Sequence, residues 1–76
     1  MKVDDFLRKF ADAIGASPES VRPDVMLKDL EGWDSMGQLS TVALFDELGV
    51  RTPAGALQNS ASVQDIIALA GNKVEL

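Results

Sequence analysis

Gly32-Trp33-Asp34-Ser35-Met36-Gly37-Gln38-Leu39 stands near the middle of a 76-residue chain, where a long polar connection gives way to the most apolar helix candidate. Asp34 and Ser35 are helix-starting residue types, because a short side-chain oxygen can accept from the free N–H groups of a first helical turn. Ser35-Met36-Gly37-Gln38 also fits the S-x-x-Q form of a capping box. By itself that makes the serine a cap. The helix it opens is expected over about residues 35–48, with Met36, Leu39, Val42, Ala43 and Phe45 facing inward and Leu48 at the end. Asp46 and Glu47 close this helix with acids that oppose its dipole, a local disadvantage that hints at a surface role.

Upstream, Val3, Phe6, Leu7, Phe10 and Ile14 form one stripe at helical spacing, predicting a helix over residues 3–14 with Gly15 as its stop. Asp4 with Arg8, and Asp5 with Lys9, are spaced as acid-before-base pairs on its solvated side. Ser17-Pro18-Glu19-Ser20 reads as a single capped turn. From Gly15 to Asp34 the connection is long for so small a chain, and Val21, Val25, Leu27 and Leu30 are expected to tether it to the core. Trp33 is expected to pack that loop against the helices. Downstream, Thr52-Pro53 repeats the cap-then-proline signal and predicts a short helix through about Leu57. Ser62 with Asp65 predicts a capping box, Val63, Ile66, Ile67 and Ala70 an inward face, and Gly71 an end. The tail from Asn72 is expected to fray. The fold class expected is all-α: a small four-helix bundle of three main helices and one short one, forming a single domain over residues 1–76.

Composition restricts the chemistry. With no cysteine and no histidine, disulfides, thiol nucleophiles, the usual zinc ligands and the commonest general base are all missing. No metal site and no enzyme activity are expected. The net charge of −5 is uneven: residues 31–76 carry −4, and from Glu31 to Val50 there are four acids and no base. That disfavours nucleic acid and suits a basic protein partner, although acidic surfaces also simply keep small domains in solution. No signal peptide is read at the N-terminus, and no apolar run, Val42–Phe45 included, is long enough to span a bilayer. A cytoplasmic monomer is the expectation.

Taken together, the order of features resembles the acyl carrier proteins, over essentially the whole chain. The features are the amphipathic first helix, the Gly-Ala-Ser-Pro-Glu-Ser-Val turn, Pro23-Asp24-Val25-Met26-Leu27-Lys28-Asp29-Leu30, and Trp33-Asp34-Ser35-Met36 opening an apolar helix. Gly49-Val50 and Ser62-Val63-Gln64-Asp65-Ile66 complete the order. The resemblance implies a four-helix bundle that carries a covalent 4′-phosphopantetheine arm, taken from coenzyme A, on Ser35. Acyl groups would ride on the arm as thioesters, and a phosphopantetheinyl transferase, loading enzymes and downstream synthases or transferases would be the partners. Within it Asp34 reads as helix cap, transferase contact or both, and Met36 as core or as an adaptable contact for transient partners. Asp46 and Glu47 match an acidic helix end that basic partners read, or are a solvated face.

The departures bear on cargo. Where fatty-acid carriers usually have an acid two residues after the serine, this chain has Gly37, followed by Gln38, Ser40 and Thr41. A glycine there reads as close approach of a partner or the arm, or as tolerance near a helix end. The segment Phe45–Gly49 is also one residue tighter than the commoner pattern. These departures point to a specialised lipid, polyketide or related pathway, and the Ser-Met-Gly string is similar to that of D-alanyl carriers. Asp34 and the lack of a Gly-Gly pair argue against a peptidyl carrier. Met36, Leu39, Val42, Leu57 and Ile66 would line any cavity for the cargo. Two readings from other classes stand beside this one: an arm-less interaction module of the same fold, and a hydrolase built on Ser35 with Lys28 as the nearest base.

Overall fold

The computed structural model of the chain describes residues 1–52 and 55–75. It is mostly helical: α1 spans Val3–Ile14, α2 Ser35–Glu47, α3 Ala56–Asn59 and α4 Val63–Ala70, with single 3-10 turns at Pro18–Ser20, Leu27–Asp29 and Gly71–Lys73. No strand occurs among the described residues, and two isolated bridges, Lys2 with Glu75 and Met26 with Ser62, tie distant segments together.

The stripe on α1 supplies the middle of the core. Phe6 and Phe10 are completely buried, and Phe6 stacks on Phe45 of α2 with ring centroids 5.9 Å apart. Ala11 and Ile14 finish the buried face, while Val3 and Leu7 pack at its margin. Gly15, at φ 76°, adopts the left-handed turn that ends the helix, as its position in the sequence predicts. Arg8 pairs with Asp5 at 3.1 Å, one residue closer than the expected spacing, so neither the Asp4–Arg8 nor the Asp5–Lys9 pair forms. The side chain leans toward the helix N-terminus and its Nε meets the carbonyl of Asp4 instead of the carboxylate. At this exposure the rearrangement has little energetic weight.

α4 follows its sequence pattern closely. Val63, Ile66, Ile67 and Ala70 are all buried, and Ser62 and Asp65 form the reciprocal capping box. The Asp65 carboxylate also accepts from the N–H of Ala61 at 2.8 Å, and these backbone donors hold its pKa below the ordinary aspartate range.

The long connection is pinned in two ways. Val21, Leu27 and Leu30 are buried and Val25 is half-buried, as the tethering pattern requires. Trp33 tilts against Phe10 at 5.8 Å, fixing the end of the loop on α1. Hydrogen bonds add a second restraint: the first N–H groups of α4, on Val63 and Gln64, donate to the carbonyls of Val25 and Pro23, and Leu27 N–H donates to Ala61. Donors that a helix start leaves free are thereby spent on ordering the loop.

Three expectations need correction. The tail does not fray as far as Glu75. Val74 is buried, Val3 N–H donates to the Glu75 carbonyl at 2.8 Å, and Glu75 N–H donates to Met1 at 2.7 Å. One apolar side chain and a short parallel bridge suffice to dock it beside α1. Next, the short helix begins at Ala56 after a left-handed Gly55, and Thr52 lies outside it without regular structure; Pro53, the expected first helical position, lies outside the described residues. Finally, α2 does not present the expected face. Gly37, Thr41, Leu44 and Phe45 are buried, whereas Met36, Leu39, Val42 and Ala43 are exposed. Only Phe45 of the expected inward set points to the core.

The docked tail yields a direct test. Val74→Ala is expected to lower unfolding stability by about 1–2 kcal/mol, the weight of one buried valine side chain. Chemical denaturation checks this, and a stability unchanged from the parent would mean that the tail contributes nothing.

Candidate functional site

The start of α2 is built by Asp34, not by Ser35. Asp34 has extended backbone angles and its carboxylate accepts from Gly37 N–H at 2.9 Å, which makes it the cap. Gln38 N–H then bonds to the Asp34 carbonyl, so the helix begins one residue earlier than a Ser35 cap would require, and the S-x-x-Q box does not form. The helix-cap reading of Asp34 is met, and a contact with a transferase remains compatible with it. Ser35 is consequently the first helical residue. It is exposed, and its hydroxyl has no hydrogen-bond partner among the described residues. The N–H groups of Ser35 and Met36 point out of the same first turn, at the end of the helix where the dipole favours negative charge.

What sets the rotation of α2 is a backbone contact. A Cβ placed on Gly37 would lie 2.1 Å from the Gly32 carbonyl oxygen and 3.3 Å from Ile14 Cγ2. Gly32, at φ +85°, is itself pressed against the end of α1, where a Cβ would lie 2.0 Å from the Ile14 carbonyl oxygen. The two glycines form a stack that only hydrogen side chains permit. One turn further on, the Thr41 hydroxyl is fully buried and donates to the Gly37 carbonyl at 2.8 Å, so its burial leaves no polar atom unpaired. Leu44 and Phe45 continue the strip. The close approach at Gly37 is thus made by the chain itself, and neither a partner nor simple tolerance is needed to explain the residue.

Seating this strip inward turns the other apolar strip outward. Met36 is 73% exposed, Leu39 68% and Val42 41%. Scattered apolar residues on a surface are ordinary; three on one face beside an unbonded hydroxyl are a patch. A cleft of about 360 Å³, open to solvent, begins at Ser35 and runs between α2 and α3. Gln38, Leu39 and Val42 form one wall, with Thr52, Leu57 and Gln58 opposite. A second hollow shares Leu39, Val42 and Thr52 and continues along α2 toward Asp46 and Arg51.

The residues singled out from sequence are therefore only partly brought together. Ser35, Asp34 and Met36 meet at one helix end. Asp46 and Glu47 are exposed in the last turn of α2, about 16 Å along the helix from Ser35 at 1.5 Å per residue. They belong to another end of the same surface. Of the expected cavity lining, Leu39, Val42 and Leu57 line the cleft; Met36 does not, and Ile66 is fully buried in the core. Sequence reasoning missed Gly32, Thr41, Thr52 and Gln58. The five-residue spacing of Gly32 and Gly37 around a helix start was the available signal for the first.

For chemistry by this chain alone the site is poorly equipped. Lys28 is exposed in the 3-10 turn Leu27–Asp29, and no hydrogen bond links it to Ser35. Among the described residues no group of three or more carboxylates gathers at metal-binding distance, and no helix is long and apolar enough to cross a membrane.

The stacked glycines give a prediction of unusual sign. Gly→Ala in an unconstrained helix stabilises by about 1 kcal/mol. Gly37→Ala is expected instead to destabilise by about 1–3 kcal/mol, because the added methyl meets backbone that cannot retreat. Urea titration of the variant checks the sign. No family model, no curated protein and no solved structure matches this chain.

Proposed function

We propose that this chain is a carrier domain of the acyl carrier type, bearing a 4′-phosphopantetheine arm on Ser35. The observation that carries the proposal is the division of labour at the start of α2. Asp34 does the capping, which leaves the Ser35 hydroxyl exposed at the positive end of a helix, with no hydrogen-bond partner among the described residues. The residues fit a phosphodiester at that atom. Two first-turn N–H groups, on Ser35 and Met36, can meet its negative charge, and no side chain must move to expose the oxygen.

When bound, the arm supplies a terminal thiol, the sulfur nucleophile that a chain without cysteine lacks. The chain's own part is presentation. Asp34 fixes the helix end, the Gly32–Gly37 stack fixes its rotation, and Met36 and Leu39 border the attachment point with apolar surface. Such a surface suits brief contacts with a transferase, with acyl- or aminoacyl-loading enzymes and with downstream synthases. Asp46 and Glu47 at the far end of α2 offer those partners a negative edge, consistent with a net charge of −4 over residues 31–76. In this reading the protein works as a cytoplasmic monomer and performs no catalysis.

Packing accounts for the glycine at position 37, while the missing acid there and the tighter Phe45–Gly49 segment still favour a specialised lipid, polyketide or related pathway, with a D-alanyl-type carrier as the alternative that the Ser-Met-Gly string supports. An arm-less interaction module would use the same Met36–Leu39–Val42 patch, and the modification itself separates the two readings.

Incubation with coenzyme A, magnesium and a broad-specificity phosphopantetheinyl transferase is expected to add the mass of one phosphopantetheine. Ser35→Ala should gain nothing while keeping the parent fold, since the side chain is exposed and its hydroxyl has no hydrogen-bond partner among the described residues. Intact-mass measurement checks both. An unmodified parent, or a modified Ser35→Ala protein, would contradict the proposal.

A further inference from the structure

We infer that Met36 is a site of reversible oxidation to the sulfoxide, and that this change, made by a hydroperoxide, slows attachment of the arm to Ser35 while leaving the fold intact. The inference rests on the carrier reading of Ser35. It concerns the protein before the arm is attached, when methionine is its only sulfur.

The chain has three methionines and no cysteine, so oxidation at sulfur falls on those three side chains. They differ in access. Met1 packs against the core, and its ammonium donates to the Lys73 carbonyl. Met26 is 38% exposed and lies in the bridge that ties the long loop to Ser62. Met36 is 73% exposed and is not among the side chains packed against the core. A peroxide therefore reaches its sulfur first, and the core loses nothing when that sulfur changes. The thioether gives an electron pair to one oxygen of the hydroperoxide. The S–O bond forms as the O–O bond breaks, and the sulfur is oxidised by two electrons. The proton of the transferred oxygen passes to the departing one, which leaves as water or an alcohol. The product is a polar, chiral side chain that thiol-dependent sulfoxide reductases restore.

The place of Met36 gives the change its consequence. Met36 is the second residue of α2. The Cα–Cβ bonds of a helix tilt toward its N-terminus, so this side chain leans over the turn whose free N–H groups would meet the phosphodiester. A sulfoxide oxygen is a strong acceptor, and there it competes with the incoming phosphate for the same donors. It also interrupts the apolar border shared with Leu39, which is three residues on and on the same face. A transferase seated on that border would have to strip water from the sulfoxide.

The test treats the unmodified protein with hydrogen peroxide, removes the excess with catalase, and reads the oxidised positions by peptide mass mapping. Met36 is expected to oxidise ahead of Met26 and Met1, with the melting temperature unchanged. Coenzyme A, magnesium and a broad-specificity phosphopantetheinyl transferase are then added. Mass gain at Ser35 should run about tenfold slower than in untreated protein, the weight of one lost contact at an interface. Sulfoxide reductases of both stereospecificities, with dithiothreitol, should restore the rate. Met36→Leu, whatever its starting rate, should lose nothing to peroxide, whereas Met26→Leu should lose as much as the parent. Untreated protein that takes no arm overturns the carrier reading, and this inference with it. Earlier oxidation of Met26 or Met1, a lowered melting temperature, or a Met36 sulfoxide that takes the arm at the untreated rate would each overturn the inference and leave the carrier reading intact.

Discussion

The contact on which the rest depends is between two glycines. Gly37, in the first turn of α2, rests on the carbonyl of Gly32, and Gly32 rests on the carbonyl that ends α1 at Ile14. Neither position has room for a methyl group. Because each residue of an α-helix turns the chain by about 100°, fixing one residue against a neighbouring backbone fixes the direction of every other side chain on that helix. Thr41, Leu44 and Phe45 then face the core, and Phe45 reaches the ring of Phe6 on α1. Met36, Leu39 and Val42 are left outside.

That outcome is costly in isolation. Burying a leucine or methionine side chain is worth about 1.5–3 kcal/mol, and α2 forgoes this at Met36 and Leu39 while burying a glycine and a threonine instead. The threonine is tolerated because its hydroxyl finds the Gly37 carbonyl. Leu44 and Phe45, buried on the same face as Gly37 and Thr41, offset that cost in part. The arrangement makes sense if the outward patch has work to do, and Ser35 stands at its edge with a hydroxyl that the Asp34 cap has left unused. The pinned loop, sewn to the start of α4 through Val25, Pro23 and Ala61, keeps Trp33, Asp34 and Ser35 in register with that patch.

How much of this was legible in the sequence depends on the element. α1 and α4 were readable to the residue because each has one apolar stripe, a polar remainder, and a cap or glycine at its ends. The bounds of α2 were nearly as clear, but its orientation was not. It has apolar residues on both faces, and the pair that decides between them, Gly37 and Thr41, contributes little hydropathy. Periodicity cannot register a contact made by the absence of a side chain. The docked tail escaped for a related reason: a single valine and a few backbone hydrogen bonds leave no pattern. At the site, Ser35 was visible as a helix-start residue, and its release from capping followed only once Asp34 was seen to hold the Gly37 N–H. The cleft walls at Thr52 and Gln58 come from segments with no regular pattern, so nothing in their spacing brings them to Ser35.

The orientation of α2 is the claim from which the patch, the cleft and the presentation of Ser35 all follow. Methyl relaxation in the presence of a soluble, uncharged paramagnetic agent reads it most directly. Strong enhancement at Met36, Leu39 and Val42, with Leu44, Val63 and Ile66 protected, is the predicted result. Protection of Met36 and Leu39 together with enhancement at Leu44 would mean that α2 is seated on its other face, and would contradict the account at its root.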